Sequence, residues 1–98
     1  MPRSQEAKDL SPLFGALSHP DRLRLIGELR ESEKDVHTLQ EALGVSQSRV
    51  SQHLAVLRAN RIVRVRKKGR RVFYSLTQVA MADWIAQGIA VLESILVV

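Results

Sequence analysis

Residues 39–58 read LQEALGVSQSRVSQHLAVLR, and the fold follows from the way this stretch breaks in its middle. Val36, Leu39 and Leu43 are three and four residues apart, the spacing of one helical face. Gly44 then supplies a left-handed stop and Ser46 a strong N-cap. A second helix is therefore expected over 47–60, with Val50, Leu54 and Leu57 as its buried line. Stepping about 100° per residue, that line lies opposite Ser48, Gln52, Ala55 and Ala59, with Gln47 and Ser51 on the flank near the helix start. His53 falls nearer the buried side and reads more naturally as a hydrogen-bonded packing residue than as a base reader. An ordinary surface helix carries Glu–Lys pairs; the outer face of this one holds no acid. Glutamine can make two hydrogen bonds to adenine and serine can bond several bases. The alanines would let such a helix lie close to a duplex.

Downstream the hydrophobic period changes from 3.6 to 2. Residues 62–66 alternate as Val63, Arg64, Val65, Arg66, and residues 71–76 are rich in strand formers. Two such runs around a glycine-containing turn predict a hairpin. Its tip is almost wholly cationic: Lys67, Lys68, Arg70 and Arg71. A flexible cationic tip reaches phosphates, which gives affinity and salt dependence rather than sequence choice. Between Glu41 and Asp83 there is no acid, and nine lysines and arginines fall in that interval. The rest of the chain carries the other six cations and all ten acids, so the charge is polarised. A surface serving solubility alone mixes its signs; a one-sided positive field suits a polyanion.

Upstream, Leu10, Leu13, Phe14 and Leu17 mark a short helix beginning near residue 5, with Pro12 in its first turns or at a kink. Ser18-His19-Pro20-Asp21 starts another, proline being suited to the first helical position. Leu23, Ile26 and Leu29 are its expected core face. Residues 32–35 read as a polar break, and Glu31, Glu33 and Asp35 as a solvated connection. The last helix, over about 78–98, is apolar nearly all round. Ile85, Ile89, Leu92 and Leu96 form one stripe; Met81, Gly88, Val91 and Ile95 form a second. Asp83, Gln87 and Glu93 argue against a membrane span. A helix with two apolar faces must bury both, so one is assigned to the subunit's own core and the other to a two-fold partner. Trp84 and Tyr74 are read as core residues.

The chain has 98 residues, read as one domain over 1–98, with a net charge of +5 and no cysteine. Thiolate metal sites and thiol redox chemistry are excluded. There is no glycine-rich phosphate loop and no spaced carboxylate pair, so an enzyme is not expected. Nothing requires a cofactor. The residues after Met1 are polar with no apolar run, which sets a cytoplasmic location as the expectation.

The 39–58 stretch closely resembles the helix-turn-helix of ArsR/SmtB-type repressors. So do LSHPDRLRLI (17–26) before it and GRRVFYSL (69–76) after it. The resemblance covers about residues 10–93. It implies a mainly α fold with a small β-hairpin, a winged helix-turn-helix in the order α-α-α-α-β-β-α. It also implies a homodimer joined through the terminal helices, about 5–17 and 78–97, and a repressor that leaves its operator when an inducer binds. The expected DNA-binding set is Gln47, Ser48, Arg49, Ser51, Gln52 and His53 on the helix, with Lys67, Lys68, Arg70 and Arg71 on the wing. The chain departs from the family at Gln40, where a small residue is usual. It departs again where many members carry a Cys-x-Cys box, since the equivalent stretch is Asp35-Val36-His37. The last helix has no histidine. Asp35 and His37 are the remaining metal candidates, two ligands where a closed zinc site needs about four. His19 and His53 share no metal-ligand spacing. Two alternatives stay open: a winged-helix protein-interaction module, and an architectural DNA binder without sequence choice.

Overall fold

A computed structural model describes residues 3–97. The expectations for Met1, Pro2 and Val98 lie outside the described residues. The chain runs α1 (Ser4–Leu17), α2 (Pro20–Glu28), β1 (Lys34–Asp35), α3 (Val36–Leu43), α4 (Gln47–Ala59), β2 (Val63–Lys68), β3 (Arg71–Leu76) and α5 (Ala80–Leu96). None of these helices is long and apolar enough to cross a membrane.

The α3–α4 joint forms as its residue types dictate. Asp35 caps α3 by accepting from the Thr38 amide at 2.9 Å. Gly44 ends the helix at φ +70°, with its amide on the Gln40 carbonyl. Ser46 caps α4, its Oγ accepting from the Arg49 amide at 3.2 Å. The last carbonyls of α3 have no helical amide to meet. Arg24 of α2 donates to two of them, Ala42 and Leu43, at 3.3 and 3.1 Å. A cation at a helix C-terminus also meets the negative end of the helix dipole, which favours it.

Six side chains from α2, α3 and α4 are fully buried: Leu25, Ile26, Leu39, Val50, Leu54 and Leu57. On α2 the buried residues are Leu25 and Ile26, followed by Leu29 at its C-cap, whereas Leu23, expected in the core, is 36% exposed. Pro20 occupies the first helical turn and His19 caps it. Leu23 instead lines the groove shared with Phe14, Leu17 and Trp84, between α2 and the terminal helices. Pro12 lies deep inside α1 rather than in its first turn. The missing amide orphans only the carbonyl of Lys8, a residue exposed to solvent.

Helix α4 closes on Arg61, a non-glycine residue at φ +58°. The Ile62 amide reaches the Leu57 carbonyl at 2.9 Å and the Arg61 amide reaches that of Arg58 at 3.0 Å. This is a Schellman closure, and buried Ile62 packs in the same core as Leu57. The hairpin turns through Gly69 at φ +61°, the positive φ that a two-residue turn needs.

The sheet has three strands in the order β1-β3-β2, all antiparallel. Strand β1 is an addition to the expected order: two residues of the polar break pair with β3, Lys34 opposite Tyr74 and Asp35 opposite Phe73. Partners directly opposite share a face. Val63, Val65, Tyr74 and Leu76 therefore form the inner face, and Asp35, Arg64, Arg66, Lys68, Arg71 and Phe73 the outer one.

The largest departure concerns α5. Ala82 is its one buried residue, with Met81 and Ile85 packed beside it. Beyond Ile85 neither apolar stripe is covered. Ile89, Val91, Leu92 and Ile95 are each more than half exposed. Trp84, expected in the core, is 40% exposed and tilts against Phe14 of α1, ring centroids 5.4 Å apart.

Candidate nucleic-acid interface

The exposed face of α4 presents Gln47, Ser48, Arg49, Ser51 and Gln52. The capped start of the helix holds them on consecutive turns. Ala55 and Ala59 continue the face and, with Ser51, Arg58 and Tyr74, line a groove between α4 and the sheet. The polar helix face and the wing thus border one continuous surface. Among the described residues, no acid interrupts α4 or the hairpin.

The four expected wing cations are not equivalent. Lys67, Lys68 and Arg70 make no ion pair among the described residues. Arg71 bonds Asp35 at 2.5 Å. Its neighbour on the same face, Arg66, forms a two-pronged pair with Glu33. Both guanidinium groups also lie over the Phe73 ring, 5.5 Å away for Arg66 and 4.9 Å for Arg71. The Arg71 guanidinium, helped by the Thr38 amide and hydroxyl, holds the Asp35 carboxyl far below the usual carboxylate range. Glu33 is lowered as well, chiefly by its hydrogen bond to Arg66. The "solvated connection" of the sequence is therefore the anchor of the wing. Pairs separated by 33 and 36 residues leave no periodic trace in a sequence.

His53 stands apart from the other α4 candidates. Its side chain is 12% exposed and faces α2. Its ring packs at a tilt against that of His19 with centroids 4.2 Å apart, its Nδ1 meets Arg22 Nη1 at 3.3 Å, and its Nε2 lies 3.7 Å from Asp21 Oδ2. Burial, reinforced by His19 and Arg22, pushes its pKa down. The neutral imidazole is the form that this environment favours.

Two histidines without useful spacing in the sequence therefore converge, and the ligand atoms of His19, Asp21 and His53 all lie within 4.8 Å of one another. Their hydrogen bonds do not suit a metal. His19 Nδ1 accepts from the Asp21 amide at 3.1 Å. Arg22 can only donate, so His53 Nδ1 also accepts. A neutral imidazole whose Nδ1 accepts carries its proton on Nε2. Both rings thus offer N–H groups, not lone pairs, on their Nε2 side. Metal-bound histidines show the reverse, with the second nitrogen donating. The trio is a packing cluster that ties the start of α2 to the middle of α4. The Asp35 and His37 candidates are not brought together either: Asp35 is taken by Arg71 and Thr38, and His37 Nε2 lies 2.9 Å from Glu41.

Comparison with known proteins gives a consistent picture. Residues 19–65 match the family described as "Bacterial regulatory protein, arsR family". A "Transcriptional repressor SmtB homolog" of Synechocystis is 44% identical over 71 residues, 72% of this chain and 54% of that protein. The chain thus spans about half the length of that relative. A "Biofilm growth-associated repressor" of Xylella fastidiosa is 38% identical over 79 residues, 81% of this chain and 69% of that protein. The structure of HlyU from Vibrio cholerae superposes with a TM-score of 0.80 at 32% identity, covering 87% of this chain and 96% of that one.

Proposed function

Because the chain belongs to the arsR family of bacterial regulatory proteins, we propose that it binds a specific double-stranded DNA site as a dimer and represses transcription there. One observation carries this reading: an acid-free helix face of Gln47, Ser48, Arg49, Ser51 and Gln52 borders a wing whose tip carries Lys67, Lys68 and Arg70 without an ion pair among the described residues. In helix-turn-helix proteins the second helix enters the major groove with its N-terminal side chains on base edges. Gln47, Ser48, Ser51 and Gln52 take that position, and Arg49, Lys67, Lys68 and Arg70 serve phosphates. Arg71 contributes when its pair with Asp35 opens. His53 supports the helix from behind.

The dimer rests on the uncovered apolar faces of α1 and α5. Phe14, Trp84, Ile89 and Leu92 line one groove between these helices, and a second copy presents the same apolar surface to fill it. Without cysteine, release from DNA in this chain proceeds without thiolate metal binding or thiol oxidation.

Selection from a library of short duplexes at two salt concentrations tests the reading. An enriched inverted repeat, half-sites about one helical turn apart, bound with steep salt dependence, is the expected result. Salt-sensitive binding without enrichment would reduce the protein to an architectural binder. Absence of binding at low salt would remove the DNA reading and favour a protein-interaction module. Changing Gln47 and Ser51 to alanine should relax the choice of site in a repressor and leave an architectural binder unaffected.

A further inference from the structure

The outer face of the sheet carries a closed electrostatic unit. Along one row, Asp35, Phe73 and Arg66 sit side by side on β1, β3 and β2. Two residues along β3 lies Arg71, paired with Asp35; just before β1 lies Glu33, paired with Arg66. The Phe73 ring lies beneath both guanidinium groups. Two carboxylates contributed from outside the hairpin thus occupy two of its arginines in geometry that phosphate oxygens also satisfy. Both arginines remain more than half exposed, so a duplex can reach them.

We propose that Glu33 and Asp35 are built-in counter-charges of the wing, holding Arg66 and Arg71 in the free protein so that DNA phosphates gain these cations only by displacing the chain's own carboxylates. The proposal rests on the DNA-binding reading and adds a restraint to it. Non-specific affinity comes from neutralised phosphates, and a wing with every cation free would hold duplexes of any sequence more tightly. The anchor is also directional. Asp35 caps α3 through Oδ1 and holds Arg71 through Oδ2, so one side chain serves both the helix-turn-helix and the wing.

Binding of a random-sequence duplex over 50–200 mM salt tests this, with Glu33→Gln, Asp35→Asn and the double variant. Asparagine is as good an N-cap as aspartate, so Asp35→Asn removes the charge and keeps the cap; helical circular dichroism checks the fold. Each released arginine that meets a phosphate steepens the slope of log affinity against log salt by about 0.9. The variants are expected to bind more tightly at 50 mM and to lose about 3.5-fold more affinity per released arginine over that range. In an Arg66→Gln background, Glu33→Gln should steepen the slope by much less than in the wild-type background, since its hydrogen-bonded partner is gone and only the longer-range attraction to Lys68 remains. An unchanged slope, or weaker binding at unchanged slope, would overturn the proposal and leave the acids as holders of the sheet alone. If the wild-type chain binds no duplex at low salt, the DNA reading fails with it, an outcome separate from wild-type binding that the variants do not alter.

Discussion

His53 shows how one buried side chain links acidity to stability. Its environment favours the neutral ring, so its folded pKa lies below the ordinary 6.5 that the unfolded chain keeps. Between those two values the unfolded chain holds the extra proton. Stability is therefore full above pH 6.5 and declines as pH falls through that value towards the folded pKa. Thermal melts from pH 7.5 to 5 should show a falling melting temperature, and His53→Gln should start lower but flatten that limb. An equally steep limb in the variant would assign the effect elsewhere. Glu33 and Asp35, shifted down, lose their ionised form only at lower pH, which keeps the windows apart. A second contrast concerns DNA. Gln52→Ala should cost about 1–3 kcal/mol of discrimination at one base position without changing the salt slope. Lys67→Ala should weaken all sequences alike and reduce that slope by about 1. Competition binding with single-base operator variants separates the two. The α4 residues were legible in the sequence because an amphipathic wheel separates a leucine line from its opposite face. The partners of His53 were not, since Asp21 and Arg22 reach it only through the packing of α2 on α4.

Among the elements, α4 begins on a favourable cap and ends on an unfavourable one. Ser46 accepts from the Arg49 amide, but Arg61 closes the helix at φ +58°, where a side chain costs roughly 1–2 kcal/mol. Glycine removes that cost and gives back part of it through greater freedom in the unfolded chain. Arg61→Gly should therefore stabilise the fold by about 0.5–1 kcal/mol, read as a rise of a few degrees in melting temperature. Arg61→Ala, still left-handed with a Cβ, should give no such rise; an equal gain from both would point to the lost charge instead. The element boundaries followed from Gly44, Ser46 and Gly69, residues whose backbone preferences act locally. Strand β1 was invisible because two residues carry no periodic signal, and its pairing depends on where β3 happens to pass.

At the scale of the molecule, the Cα radius of gyration is 14.6 Å, against about 12.6 Å expected for a compact chain of this length. The longest dimension is 46 Å. The far half of α5 contributes to both, carrying apolar side chains that touch no core. Ile89→Glu or Leu92→Glu should leave the subunit folded, since both sites are about half exposed in the single chain. Sedimentation should then show a monomer where the wild type sediments as a dimer. Operator affinity should fall by about 10²-fold or more, because two linked half-sites act through effective concentration. A variant that stays dimeric would place the interface elsewhere.

The sequence by itself determined the order of the helices, the joint at Gly44, the hairpin at Gly69, the acid-free face of α4 and the two apolar stripes of α5. Each of these depends on local backbone preference or on the period of apolar residues, and both are written along the chain. Only the tertiary structure decided that Leu25 rather than Leu23 enters the core, that His19 and His53 meet, that Trp84 stays at the surface, and that Glu33 and Asp35 hold Arg66 and Arg71. Those outcomes depend on the rotation of one element against another and on pairs more than thirty residues apart, where neither spacing nor composition carries the distance.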